Sequence, residues 1–222
     1  MSAAGAKNSN VHVIDHPLAQ AILTDLRFKD TGQIAFRKGL VKIGRLTAYE
    51  IIRSFPTKET YVETPLKVKA RGVKVPDMEH VVIINILRAA MSLVEGLLKS
   101  FPQARQGVLA VQRVEEKEGI ENIKAIKYFV KIPKFNSEDT VIIADPMLAT
   151  GSTILEAIAE VYKVGKPKRL IVSSVISCEY GVEKLVQKYP EVQLYTLAVD
   201  PELNNHAYIV PGLGDAGDRS FG

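Results

Sequence analysis

The sequence predicts an α/β fold: a single domain with a central, mostly parallel five-stranded sheet flanked by helices, plus N-terminal helices and a β-arm. Three observations carry this. Short apolar runs at 81–87 (VVIINIL), 107–111 (GVLAV), 141–145 (VIIAD), 170–176 (LIVSSVI) and 192–199 (VQLYTLAV) lack polar alternation, as strands covered on both faces do. Helical patterns at 91–100, 152–164 and 179–188 fall between several of them, which is the rhythm of crossover connections. Finally, 222 residues suit one domain with a small appendage. A hydrophobic fraction of 46% and a charged fraction of 24% exclude global disorder, collagen-like chains and coiled-coil rods.

Element by element, the polar residues 1–10 predict a disordered leader, and residues 11–222 form the domain. Residues 16–28 read as an amphipathic helix entered through Pro17. A longer helix follows at 31–55, with Ile34, Leu40, Ile43, Leu46 and Ile51 near helical spacing and Pro56 as its stop. Valines and lysines among turn residues at 61–75 predict an edge hairpin. The strands and helices named above come next. They are interrupted by a polar insertion with hairpin-like patches at 112–140, long enough for a mobile arm or lid. Residues 200–222 form a glycine-rich C-terminal loop.

Several functions are excluded early. One cysteine, Cys178, makes no internal disulfide and reads as a small buried hydrophobe. His12, His16, His80 and His206 share no metal-ligand spacing, and of the four only His206 lies near the terminal loop. The longest apolar stretch, 81–98, carries Arg88 and Glu95, which argues against a bilayer span. No signal-like run opens the chain, so a cytoplasmic protein is expected. The net charge of +4 suits phosphorylated ligands and argues against nucleic acid as a partner. Gly165-Lys166 is followed by Pro167, which rules out a nucleotide-hydrolysing P-loop.

Ligands in doubly covered parallel sheets sit at the carboxyl ends of the strands, which singles out Arg88, Arg113, the segment after Asp145 and whatever follows Val199. In VIIADPMLATGST (141–153) an apolar strand ends at Asp145, a short loop carries Thr150, Gly151, Ser152 and Thr153, and a helix begins. Such a loop cradles an anion: Gly151 permits the tight turn, the helix N-terminus offers N–H groups, and the hydroxyls add donors. A plain helix cap needs one hydroxyl, not three. At the C-terminus, Gly212-x-Gly214-x-x-Gly217 imitates a dinucleotide fingerprint, but the helix and strand that this motif requires cannot fit in the five residues that follow. On the long helix, Lys38, Gly39, Leu40, Val41 and Lys42 form part of a basic stretch.

DPMLATGST resembles the loop that binds phosphoribosyl diphosphate (PRPP) in type I phosphoribosyltransferases. Pro146, where most of that superfamily has a second acid, fits the uracil phosphoribosyltransferase branch. The run YIVPGLGDAGDR (208–219) resembles the uracil-binding end of that branch, LRAAMSLVEGLL its LRAG segment with Ala90 in place of glycine, and VQR its arm arginine. The resemblance implies the type I phosphoribosyltransferase fold and the conversion of uracil and PRPP to UMP and diphosphate. It assigns PRPP contacts to Arg88, Arg113, Asp145, Pro146, Met147, Leu148, Ala149, Thr150, Gly151, Ser152, Thr153 and Asp215. Uracil contacts fall to Ile209, Gly214, Asp215 and Ala216. Mg²⁺ is expected through PRPP and water near Asp145 and Asp215, with no direct protein ligand. GTP and CTP are expected effectors, with Lys38, Gly39, Leu40, Val41 and Lys42 as the candidate GTP contact, and a homo-oligomer, dimer or tetramer, is implied. The alternatives are a transferase for another base and an RNA-binding pyrimidine regulator on the same fold.

Overall fold

The computed structural model describes the backbone of residues 9–115 and 123–222, and the side chains of those residues outside 112–125. Most of the expected leader and the tip of the expected arm lie outside the described residues. In chain order the elements are β1 (Val11–Val13), α1 (Pro17–Arg27), α2 (Gln33–Arg53), β2 (Lys58–Glu63), β3 (Lys69–Lys74), a 3₁₀ turn (Pro76–Glu79), β4 (Val81–Leu87), α3 (Met91–Leu98), β5 (Arg105–Glu115) and β6 (Ile123–Lys131). Then come β7 (Thr140–Ala144), β8 (Met147–Leu148), α4 (Ser152–Val164), β9 (Arg169–Ser173), β10 (Ile176–Cys178), α5 (Glu179–Lys188), β11 (Gln193–Thr196), β12 (Ala198–Asp200), β13 (Glu202–Leu203), β14 (Ile209–Val210) and α6 (Ala216–Phe221).

The main sheet has the order β1-β11-β9-β7-β4-β5-β6. The five expected strands form its centre. Two more extend it: β1 pairs in parallel with β11, and β6 runs antiparallel to β5. β1 is only three residues long, too short to show a periodicity. β6 comes from the insertion at 112–140, whose expected hairpin-like arm is an antiparallel β5–β6 ladder in the described part up to Lys131, followed by a coil to β7.

Alternation along β4 explains the layering. Val81 and Ile83 face one cluster with Phe36, Leu40, Ile43, Leu93 and Leu97 from α2 and α3. Val82, Ile84 and Ile86 face the other, with Ile154, Ile158 and Val161 of α4. Successive strand side chains point to opposite faces, so a sheet sandwiched by helices needs unbroken apolar strands. The α2–α3 crossing is backbone against backbone: Gly44 and Gly96 meet with no space for a Cβ on either.

The runs at 170–176 and 192–199 are each two strands, not one. After Ser173 and after Thr196 the chain leaves the main sheet, and β10 and β12 join β8 in a separate three-stranded sheet of order β12-β10-β8. Its pairings, Ile176 with both Met147 and Ala198, suspend the segment after Asp145 and the start of the terminal loop from one shared strand. The terminal segment is ordered as well, into the β13–β14 hairpin and α6, where Asp215 caps the helix by accepting from Asp218 N–H at 2.9 Å. Among the described residues no helix is long and apolar enough to cross a membrane.

Candidate active site

At the carboxyl ends of β4 and β7, a cleft of about 830 Å³ is lined by residues from four separate stretches, among them Arg88, Val111, Asp145, Met147, Thr153, Tyr208, Asp215 and Asp218. The fold thus brings together Arg88, Asp145, Met147, Thr153 and Asp215, five of the residues expected from sequence. A smaller pocket bounded by Asp145 and residues 147–154 continues from it.

The loop after β7 is built as the sequence reading requires. Asp145 is buried; its N–H donates to Ser173 O at 3.1 Å and its Oδ1 accepts from Met147 N–H at 3.3 Å. Gly151 has φ +80°, in the left-handed region, and precedes α4 directly. Only glycine enters that region without a steric penalty. The N-cap Gly151 has no side chain to cap α4, which leaves the N–H groups of Thr153 and Ile154 in its first turn for an anion in the pocket. Thr150 Oγ1 and Ser152 Oγ share a hydrogen bond of 2.9 Å, and Ser152 N–H leans on Thr150 Oγ1 at 3.4 Å. Pro146 plays a different part: its carbonyl accepts from the N–H groups of Val175 and Ile176, anchoring the loop rather than lining the cleft.

Arg88 follows β4 and stands 3.8 Å from Asp218, both side chains more than half exposed. An exposed pair of this kind is worth about 0–1 kcal/mol and yields readily to a stronger anion. Arg113 lies two positions beyond the cleft residue Val111 on β5, opposite Ala125; its side chain is outside the described residues. Of the expected base contacts, Asp215 lines the cleft, while Ile209 and Ala216 are buried behind it and Gly214, at φ +77°, is exposed. Among the described residues, no group of three or more His, Cys, Asp or Glu could hold a metal ion. Asp145 and Asp215 share the cleft and fit a cation held through ligand oxygens and water.

Sequence reasoning passed over Tyr208 and Asp218 as site residues, although both lie in YIVPGLGDAGDR. His206 lines the cleft, whereas His12 stacks on Tyr195, His16 caps α1 and His80 stands near Asp139. Cys178 is buried, and burial pushes its thiol pKa up, as suits an inert side chain. Of the candidate effector residues, Lys38, Gly39 and Lys42 line a second cavity of about 460 Å³ with Asp25, Phe28 and Thr31. Leu40 is wholly in the core and Val41 lies at the α3 crossing.

A family model described as uracil phosphoribosyltransferase matches residues 13–222. The chain belongs to the uracil phosphoribosyltransferase family. Members of this family are pentosyltransferases. A uracil phosphoribosyltransferase of Pyrobaculum islandicum is 55% identical over 211 residues, covering 95% of this chain and 98% of the relative. One from Sulfolobus acidocaldarius is 48% identical over 215 residues, covering 96% and 99%. Among solved structures, a protein from Aquifex aeolicus matches with a TM-score of 0.85 at 32% identity over 95% of this chain and 97% of its own. An adenine phosphoribosyltransferase from Trypanosoma brucei shares the fold, with a TM-score of 0.55 at 12% identity over 92% and 90% of the two chains. The uracil phosphoribosyltransferase motifs in this chain are the ones that line or support the cleft.

Proposed function

We propose that this cleft transfers the phosphoribosyl group of PRPP to uracil. The observation that carries the reading is the convergence, in one cleft, of the anion loop after Asp145, the arginine after β4 and Asp215 of the terminal loop. In the reaction, uracil N1 forms a bond to the ribose anomeric carbon. The carbon–oxygen bond to diphosphate breaks with its electron pair leaving on oxygen, and the N1 proton passes to solvent. Charge grows on the departing diphosphate, so donors positioned for it lower the barrier most. Arg88 and Arg113 serve that end, with the planar donor fork that suits phosphate oxygens. Residues 150–153 and the first turn of α4 hold the 5′-phosphate, and buried Asp145 orients the ribose hydroxyls. Asp145 and Asp215 would stand beside a Mg²⁺ ion carried by PRPP and water, which when bound would add charge neutralisation at the diphosphate. The terminal loop presents the base with backbone groups, and a pocket matched to uracil leaves its own polar groups unpaired against cytosine.

The test is diphosphate release with PRPP and Mg²⁺ over a panel of uracil, cytosine, adenine, guanine and orotate. Uracil alone should turn over. Turnover with a different base would overturn the base assignment while keeping PRPP, and silence with all five, with or without GTP, would favour an RNA-binding regulator.

A second, regulatory reading rests on the cavity lined by Lys38 and Lys42 together with the carboxylates of Asp25 and Asp30: the two ammonium groups would meet the phosphates of a nucleotide effector, GTP or CTP, and the two carboxylates its base or ribose donors. Charge reversal at both lysines should abolish any GTP effect on rate or melting temperature, and an effect that survives reversal removes the site. The β2–β3 hairpin, with Tyr61, Leu66 and Val73 exposed, supports a homo-oligomer, which sedimentation tests directly.

A further inference from the structure

The terminal loop is closed by a ring of hydrogen bonds whose members are not among the residues lining the cleft. Arg27, the last residue of α1, donates from Nη1 and Nη2 to the two carboxylate oxygens of Asp200, each at 2.7 Å. The same Nη1 donates to Gly212 O at 2.7 Å, and Gly212 N–H donates to Asp200 Oδ2 at 3.0 Å. Both backbone groups of Gly212 are therefore satisfied by one ion pair. Asp200 is 5% exposed, and Gly212, at φ +63°, takes the left-handed turn.

The ring joins the end of β12 to the turn that follows β14. It closes the segment 201–211, which contains the β13–β14 hairpin and places His206 and Tyr208 on the wall of the cleft. Neither Arg27 nor Asp200 lines that cleft. The next residue is held from the same helix end: Arg219 Nη1 donates to Leu213 O at 2.7 Å and also to Leu26 O, Nη2 donates to Phe28 O at 2.7 Å, and the guanidinium lies 4.3 Å over the Phe36 ring. Arg27 of α1 thus holds Gly212, and Arg219 of α6 ties Leu213 to the carbonyls at the same end of α1.

We propose that the Arg27–Asp200 pair is a positioning device for base recognition: it sets where the backbone of residues 209–216 stands against the cleft and so governs affinity for the base without touching it. The inference rests on the reading that this loop presents uracil. Three features separate the pair from an ordinary surface bridge. It is bidentate, which fixes direction as well as distance. Its carboxylate is shielded, so loss of the guanidinium leaves a buried charge unmatched. Its spare capacity is spent on main-chain atoms of the loop, so when the pair is lost the loop itself moves. The PRPP loop after β7 pairs with β10 on the side opposite β12, and none of the ring's own bonds reaches it, which predicts a larger effect on uracil than on PRPP.

The experiment uses the full chain with Arg27→Met, Arg27→Lys and Asp200→Asn. KM for uracil is measured at saturating PRPP and KM for PRPP at saturating uracil, alongside amide hydrogen exchange across 209–214 without ligand. The expected result for Arg27→Met is a KM for uracil raised on the order of tenfold or more, since small displacements of a binding backbone carry penalties of that size. KM for PRPP should rise several-fold less than KM for uracil, because Asp215 is the one PRPP contact on the displaced segment, and exchange at 209–214 should quicken. Arg27→Lys should recover only part of the loss, because an ammonium cannot span both carboxylate oxygens and Gly212 O in one plane. An unchanged KM for uracil, or an equal rise in both KM values with a lower melting temperature, overturns the proposal. A wild-type chain that fails to use uracil instead overturns the base assignment. Exchange at 209–214 then decides the clamp alone: unchanged exchange in Arg27→Met refutes it, and faster exchange supports it.

Discussion

Replacing Gly181 with alanine tests how tightly the phosphate loop is held. Gly181 is the third residue of α5, and its Cα faces the loop with no intervening side chain. A Cβ there would overlap the Ala149 carbonyl oxygen outright and stand 3.1 Å from Leu148 O and 3.2 Å from Ala149 C. All three atoms are backbone, so no rotamer change relieves the clash. Gly151 packs back on the same point, its own Cβ position lying 3.4 Å from Gly181 O. Relief requires α5 and the 148–151 loop to separate by on the order of 1 Å, a displacement that can cost about 100-fold in rate, or about 2.7 kcal/mol of transition-state stabilisation. Overpacking should cost about 1–3 kcal/mol of stability, offset by up to about 1 kcal/mol from better helix propensity. For a chain of this size that lowers the melting temperature by roughly 2–4 °C per net kcal/mol. The assay is kcat/KM for PRPP at saturating uracil beside a thermal melt. Gly44→Ala is the control: its Cβ would strike Leu93 O at the α2–α3 crossing, so it should lower the melting temperature and leave PRPP kinetics nearly intact. If Gly181→Ala keeps kcat/KM for PRPP within twofold of wild type, or if Gly44→Ala impairs it equally, the loop is not positioned by this contact.

Three other outcomes are expected. Arg113→Ala should lower kcat/KM for PRPP about 10- to 100-fold, the value of one or two hydrogen bonds from a charged donor, with an unchanged melting temperature; unaltered kinetics would remove Arg113 from the site. Acid should destabilise the fold through Asp77 and Asp139. Burial pushes both carboxyls up, but Arg169 and Lys168 at Asp77, and the Asn136 N–H with Arg105 at Asp139, outweigh it and hold both below the usual range. A carboxyl whose folded pKa is depressed adds stability above its unfolded value, about 3.9, and loses it as pH falls through the folded value. Denaturant melts should therefore show stability declining below about pH 4, less steeply in Asp77→Asn, and an identical acid slope in that variant would refute the assignment. Mg²⁺ removal by chelation should abolish turnover without lowering the melting temperature of the ligand-free chain, because the metal is expected on the substrate; a chelator-induced drop in melting temperature would point to a protein-held ion instead.

What could be read from the chain alone was whatever depends on local periodicity and local chemistry. Unbroken apolar runs located β4 and the other central strands, and helical spacing placed α4 and α5 with the ends the structure shows. The anion loop was legible because every part of it is contiguous: strand, acid, glycine, hydroxyls, helix. The terminal motif was legible as a motif, but its order was not. Glycine-rich spacing does not reveal that residues 202–210 pair as a hairpin, that Asp215 caps a helix, or that Tyr208 and Asp218 reach the cleft.

The rest was decided by contacts between residues remote in sequence. Val11 becomes a strand only because Leu194 offers an edge. The run at 170–176 divides because β10 must serve both Met147 and Ala198. Arg27 reads as one more charged residue at a helix end until the fold sets it against Asp200 and Gly212. Gly181 looks like an ordinary weak point in a helix until Ala149 lies against it. Side-chain type and spacing determined the elements and the chemistry on offer, because those follow from each residue's near neighbours. Tertiary structure alone decided which groups support the site, because support is a matter of ångström-scale juxtaposition that only a packed core imposes.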